Sequence, residues 1–78
     1  MTLQELLDKI ASIIELPKGI LTIETQINTL QHWDSLAMVE IISLFEAHFQ
    51  VIIEPRMLIN AKTVADLIAP VQVQLLRE

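Results

Sequence analysis

Residues 35–50 form a stretch without glycine or proline in which apolar side chains recur at helical intervals. Asp34 precedes this stretch, and aspartate is a favoured residue at the N-cap of a helix. The pattern therefore predicts a helix from Ser35 to Gln50. Because a helix turns once in about 3.6 residues, one side collects the apolar residues that we predict to be buried, namely Met38, Ile41, Ile42, Phe45 and Phe49.

The opposite side of this helix is sparsely charged, and we expect it to face solvent. Ser35 and Glu46 lie toward one edge of it, and Val39 lies near the boundary with the buried side. The remaining residues of the exposed side are Leu36, Glu40, Ser43, Ala47 and Gln50.

A capping box near each end of the chain predicts the start of a helix. Thr2 and Glu5 begin the first helix. It should end before Pro17, because the residue that precedes a proline is disfavoured in helical geometry. Its buried stripe is predicted to consist of Leu3, Leu6, Leu7, Ile10, Ile13 and Ile14.

The second capping box, Thr63 and Asp66, begins the last helix. Pro70 should kink or interrupt this helix, because proline has no backbone N–H to donate. The buried stripe of the last helix is predicted to consist of Val64, Leu67, Ile68, Val71 and Leu75.

Two less regular segments lie between these helices. Residues 20–33 predict a long loop with apolar anchors, which is unusual in so small a domain unless the loop packs well or serves a function. Pro55 stands at the tolerated first position of a short helix. We expect Met57, Leu58 and Ile59 to pack inward from that helix, and the two internal methionines to fill gaps in the core.

Together these segments predict an all-α fold, a four-helix bundle of three main helices and a short third helix. With 78 residues the chain is too short for two cores, so residues 1–78 are expected to form a single domain. Hydrophobic residues make up 53% of it, enough to fill a core without disulfides or metal. The lack of cysteine excludes thiol catalysis and thiolate metal sites.

The charge balance narrows the choice of partners. Ten acidic and five basic side chains give a net charge of -5, which disfavours nucleic acid and anionic membranes and favours a basic protein surface. The same charge and the lack of a coiled-coil seam predict a monomer. The first residues show no secretion signal and no apolar run can cross a bilayer, so we expect a cytoplasmic protein without membrane insertion.

Ser35 is the one side chain that we single out for chemistry. At the start of a helix, unpaired backbone N–H groups and the helix dipole favour a phosphoester, although the charge of Asp34 opposes it. His32 and His48 are too few and too poorly placed for a metal site, and neither belongs to a serine-histidine-acid arrangement. The sequence therefore predicts neither a catalytic residue nor a metal ligand.

The residues Trp33-Asp34-Ser35-Leu36 resemble the Asp-Ser-Leu signature of acyl carrier proteins. The resemblance continues through residues 36–42 and 45–49 and the short third helix to residues 62–67, so it covers essentially the whole chain. It implies that Ser35, flanked by Asp34 and Leu36, carries a covalent 4′-phosphopantetheine arm taken from coenzyme A. A separate phosphopantetheinyl transferase would attach this arm. Acyl-loading and acyl-processing enzymes would use it, and the domain itself would catalyse nothing.

The resemblance also places partner recognition on the helix that begins at the serine. The docking residues would be apolar contacts inside an acidic rim, namely Leu36, Val39, Glu40 and Glu46. Trp33 stands where many family members have a small residue, and we expect it to pack the long loop against the core. An acyl chain is expected to fold back between the helices near Ile42, Phe45 and Leu67.

Three functions remain open at this point. The first is an acyl carrier of fatty-acid, polyketide or related specialised synthesis. The second is an aminoacyl or peptidyl carrier, which shares the fold, the serine and the arm and differs in its loading enzyme. The third is a helical adaptor without a prosthetic group, for which the exposed face of the second main helix would bind a partner. Only the adaptor should keep its function after a Ser35→Ala substitution.

Overall fold

Helices account for most of the ordered backbone in the computed structural model, which describes residues 1–76. No strand occurs within these residues, so the all-α prediction is confirmed. The α-helices are α1 (Leu3–Ile13), α2 (Ser35–Phe49), α3 (Pro55–Asn60) and α4 (Val64–Ile68), and two 3-10 helices cover Ile27–Thr29 and Ala69–Gln74.

Both predicted capping boxes form. The N–H of Glu5 donates to Oγ1 of Thr2 at 3.1 Å, and the N–H of Thr2 donates back to Oε1 of Glu5 at 3.0 Å. At the start of α4 the N–H of Asp66 donates to Oγ1 of Thr63 at 3.3 Å, and Oδ2 of Asp66 accepts from the Thr63 N–H at 3.2 Å. Each box satisfies donors that a helix N-terminus leaves unpaired, and this defines where the helix begins.

Helix α1 ends before Pro17, as predicted, in a Schellman-type turn. The N–H of Leu16 donates to the carbonyl of Ala11 at 2.8 Å, and the N–H of Glu15 donates to the carbonyl of Ser12 at 3.3 Å. Glu15 adopts a left-handed backbone conformation with φ of 61°. Glycine is the usual residue at such a position, because a side chain there is strained.

The core lies between α1, α2 and α4, and Leu58 of α3 completes it. Phe45 and Phe49 of α2 pack edge to face with ring centroids 5.9 Å apart. Two of the predicted core residues of α2, Met38 and Ile42, are only half-buried, whereas Ala37 is buried. The prediction is therefore confirmed for Ile41, Phe45 and Phe49, was wrong about full burial of Met38 and Ile42, and did not include Ala37.

Helix α3 buries only one of the three residues predicted to pack inward. Leu58 is 1% exposed, whereas Met57 is 49% exposed and Ile59 is 65% exposed. Consecutive helical residues are rotated by about 100°, so a helix that touches the core along one line cannot bury three neighbours. The inward assignment of Met57 and Ile59, and of Met57 as a core filler, was therefore wrong.

The long loop between α1 and α2 is packed and tied to α4. Ile27 is fully buried, and its N–H donates to the carbonyl of Lys62 at 3.0 Å. The N–H of Val64 donates to the carbonyl of Thr25 at 2.9 Å. These bonds give the loop backbone the partners that a loop inside a small domain needs.

Pro70 interrupts the last helix, as predicted. Helix α4 ends at Ile68, and the chain continues as the 3-10 helix Ala69–Gln74. Val71 on this 3-10 helix is still fully buried, so the apolar stripe survives the change of geometry. The side-chain amide of Gln74 donates to the carbonyl of Phe49 at 3.0 Å and ties this segment to the end of α2.

Candidate functional site

The start of α2 is defined by Asp34. Its backbone is extended, with φ of -133° and ψ of -177°, and its Oδ1 accepts a hydrogen bond from the N–H of Ala37 at 2.9 Å. Its carbonyl accepts from the N–H of Met38 at 3.1 Å. Asp34 is therefore the predicted N-cap, and its carboxylate is directed at the helix backbone.

Ser35 is the first residue of α2, and its side chain is exposed. Within residues 1–76, the N–H groups of Ser35 and Leu36 have no hydrogen-bond acceptor. They add to the positive end of a helix that is 15 residues long. A serine hydroxyl at this place is accessible to a second protein, and the backbone beside it can donate to an anion.

Two residues of the segment that leads into Ser35, Trp33 and His32, contact other parts of the molecule. Trp33 is half-buried against the core, as predicted, and its N–H donates to the carbonyl of Leu30 at 3.3 Å. Nδ1 of His32 lies 3.0 Å from Oε2 of Glu15, at the end of α1. Sequence reasoning missed this contact, because no periodicity or motif relates two side chains so far apart in the chain.

The predicted docking residues all lie at the surface of α2. Leu36 is 67% exposed and Val39 is 58% exposed. Glu40 and Glu46 are exposed as well. Leu36 and Glu40 are one turn apart and share a face. Exposure makes these side chains available to a partner, and their docking role stays a prediction.

The carboxyl groups with shifted pKa values belong to the two capping boxes. Hydrogen bonds from the backbone N–H and the hydroxyl of Thr2 lower the pKa of Glu5. Hydrogen bonds from the backbone N–H groups of Lys62 and Thr63 lower the pKa of Asp66. Both carboxylates serve the capping boxes, so these shifts have a structural cause.

In residues 1–76 no three histidine, aspartate or glutamate side chains come together in a way that could hold a metal ion. Over the same residues no helix combines the length and the apolar character needed to cross a membrane.

A cavity of about 520 Å³ opens between the first turn of α1 and the segment that follows α4. Its lining is mostly apolar and consists of Leu3, Gln4, Ile23, Ile68, Gln72, Leu75 and Leu76. The three residues predicted near an acyl chain, Ile42, Phe45 and Leu67, are not part of this lining. Phe45 and Leu67 are almost completely buried in the core. The role of these three residues near an acyl chain stays a prediction.

A comparison with protein families assigns the chain. The family model described as the phosphopantetheine attachment site matches residues 4–70. The chain belongs to this family. The predicted resemblance is therefore confirmed, and the chain is a phosphopantetheine carrier domain whose family binds 4′-phosphopantetheine covalently. No curated protein and no solved structure gave a significant match.

The residues at the start of α2 fit the cofactor of this carrier domain. A phosphoester needs a hydroxyl that a modifying enzyme can reach, and Ser35 is exposed. The phosphate then needs donors, and the N–H groups of Ser35 and Leu36 have no other acceptor among the described residues. The carboxylate of Asp34 opposes the phosphate charge, but its Oδ1 is occupied by the N–H of Ala37. The site therefore fits phosphopantetheine, because its hydroxyl is accessible and its backbone N–H groups can donate to the phosphate.

Proposed function

We propose that this carrier domain bears its phosphopantetheine on Ser35 and transports acyl groups as thioesters. The observation that supports it best is the exposed hydroxyl of Ser35 at the N-terminus of α2, beside two N–H groups without an acceptor in residues 1–76. Its enzymes would belong to fatty-acid, polyketide or related specialised synthesis. The sequence resemblance to acyl carrier proteins through residues 33–36 and 62–67 supports the acyl class.

Each residue at the start of α2 has a part in this proposal. The Ser35 oxygen would lose its proton and bond to the phosphorus that bears the pantetheine, while the pyrophosphate P–O bond of coenzyme A breaks and adenosine 3′,5′-bisphosphate leaves. A phosphopantetheinyl transferase would catalyse this reaction. The N–H groups of Ser35 and Leu36 would donate to the phosphate. Asp34 would keep the first turn in place through its bond to the Ala37 N–H. The group itself supplies a flexible arm ending in a thiol, which holds the cargo near successive enzymes at high effective concentration.

The partners would approach the exposed face of α2. Leu36 and Val39 would enter an apolar recess of the partner, and Glu40 and Glu46 would meet basic side chains at its rim. The domain would catalyse no step itself. We further propose that residues 1–78 act as one monomeric cytoplasmic carrier unit.

The decisive experiment measures the intact mass after incubation with coenzyme A and a broad-specificity phosphopantetheinyl transferase. The wild-type protein should gain one phosphopantetheine, and Ser35→Ala should gain none. Ser43→Ala is the matched control, because Ser43 is also an exposed serine on α2 and should leave the gain intact. No gain in unmodified wild-type protein would refute the carrier proposal, and a gain in Ser35→Ala would refute the assignment of Ser35.

The class of cargo is tested on the modified protein. Transfer of an acyl group from acyl-coenzyme A to the arm by an acyltransferase is the expected result. If only an amino-acid-activating enzyme loaded the arm, the domain would be an aminoacyl carrier. Mass spectrometry of the thioester distinguishes the two cargoes.

A further inference from the structure

A side-chain contact joins the end of α1 to the segment that leads into Ser35. Nδ1 of His32 lies 3.0 Å from Oε2 of Glu15. The ion pair between Arg56 and Glu54 joins close neighbours along the chain. Among residues 1–76, the contact of Glu15 with His32 is therefore the side-chain contact between an acidic and a basic group that links segments distant in sequence.

The backbone of Glu15 has an uncommon conformation. Its φ of 61° lies in the left-handed region, where glycine avoids the strain that a side chain brings. In the turn that follows, glycine occupies such a position, because Gly19 has φ of 84°. Gln50 at the end of α2 lies in the same region with φ of 54°, so this conformation belongs to the helix end, and from it the Glu15 carboxylate reaches His32.

The contact is close to the residue that is modified. His32 precedes Trp33 and the N-cap Asp34, so its position affects how the chain enters α2. Attack by a hydroxyl on a bound donor depends steeply on where the hydroxyl is held. We propose that Glu15 and His32 are a positioning pair that holds residues 30–34 in place and thereby presents Ser35 to the modifying enzyme. This inference rests on the proposed function, in which Ser35 is the attachment residue.

The solvent exposure of Glu15 and His32 limits how much their loss can change the rate at which Ser35 is modified. The side chains of His32 and Glu15 are 44% and 69% exposed, so water and salt weaken their attraction. Loss of such a pair corresponds to a change of about twofold to fivefold in an equilibrium or a rate. The pair therefore has a modest effect on how well Ser35 is positioned for the transferase.

A double-mutant cycle tests the pair. We would measure kcat/KM for modification by the transferase, at low salt, in Glu15→Gln, His32→Gln and the double variant. Each single variant should lose about twofold to fivefold, and the double variant should lose no more than either single one. Glu54→Gln is the matched control, because it removes the exposed ion pair between Arg56 and Glu54 and should leave kcat/KM unchanged. Additive losses, or no loss in the single variants, would overturn the proposal.

Glu15→Gly separates positioning from stability. Glycine relieves the strain at φ of 61°, so the melting temperature should not fall, while kcat/KM for modification should still fall about twofold to fivefold. A parallel fall of both quantities would mean that Glu15 is only structural, and would overturn the proposal.

Trp33 gives a readout that needs no transferase. It is the only tryptophan in the chain and follows His32 directly, so the Glu15 and His32 variants should change its fluorescence in the unmodified protein. Unchanged emission in all of them would overturn the positioning pair. A wild-type protein that is never modified would instead refute the proposed function and leave the fluorescence result to decide on the pair.

Discussion

Asp34 is the single residue on which the geometry around Ser35 depends most directly. Its Oδ1 accepts from the N–H of Ala37 at 2.9 Å, and its carbonyl accepts the first hydrogen bond of α2 from Met38. The next residue is Ser35, so the cap and the proposed attachment residue share one turn of helix. The negative charge of Asp34 disfavours a nearby phosphate, whereas its capping bond holds the backbone of the first turn in place.

Removal of this cap should destabilise the protein. Asp34→Ala leaves the N–H of Ala37 without its acceptor, and we expect a loss of about 1 kcal/mol in the free energy of unfolding. Asp34→Asn keeps an oxygen acceptor and serves as the control, with a much smaller loss. Urea denaturation followed by circular dichroism measures both values. Equal stability of Asp34→Ala and wild type would contradict a capping role.

Among the helices, α1 and α4 each begin with a capping box whose acid is ionised. Hydrogen bonds from Thr2 lower the pKa of Glu5 below its ordinary value of 4.5. Hydrogen bonds from Lys62 and Thr63 lower the pKa of Asp66 below its ordinary value of 3.8. A lowered pKa means that the carboxylate, relative to the protonated acid, is more stable in the folded protein than in the unfolded chain. This stabilisation is therefore complete above the ordinary values and is lost as the pH falls below them.

Acidification should weaken the two helix starts together. We expect the free energy of unfolding to fall as the pH is lowered from neutral through the ordinary pKa of Glu5 and then of Asp66. Glu5→Gln keeps a side chain that can accept in the capping box but cannot titrate, so it should show a shallower pH dependence. Urea denaturation across the acid range measures the slopes. Identical slopes for the variant and the wild type would contradict the assignment.

Helix α3 offers a test of which side faces the core. Leu58→Ala should cost about 2–5 kcal/mol in the free energy of unfolding, because it leaves a cavity beneath α3. Ile59→Ala removes an apolar side chain that is 65% exposed and should change that free energy by no more than about 0.5 kcal/mol. Thermal or chemical denaturation of the two variants gives the comparison. Equal losses would show that α3 is rotated relative to this structure.

For the whole molecule, the long loop forms one unit with the start of α4. Its backbone donates to and accepts from residues 62–65, and Leu21 and Ile27 enter the core. The loop and the start of α4 should therefore open together. The same loop leads into Ser35, so its packing connects the core to the candidate site.

Substitution of the buried anchor should loosen this unit. Ile27→Val should cost about 0.5–1.5 kcal/mol in the free energy of unfolding and should reduce hydrogen-exchange protection of the Val64 amide, which is bonded to the loop. Ile20→Val is the matched control, because Ile20 lies in the same loop but is 54% exposed. Loss of protection in the control alone would contradict the role of Ile27 as the anchor.

The sequence by itself determined where α1, α2 and α4 begin, that α1 ends before Pro17 and α4 before Pro70, and that Ser35 lies at the first position of α2. Capping boxes, the N-cap Asp34 and the two prolines Pro17 and Pro70 act over three or four residues, so their effect does not depend on the rest of the fold. The resemblance around residues 33–36 came from the same local pattern, and the family match confirmed it.

Only the tertiary structure decided which faces are buried and which distant segments meet. It buries Ala37 on α2 and leaves Met57 and Ile59 largely exposed on α3. It also sets residues 23–27 against the start of α4 and brings Glu15 to His32. These outcomes depend on how several helices share one small core, where the free energy comes from contacts between residues far apart in the chain. No pattern within a single segment contains that information.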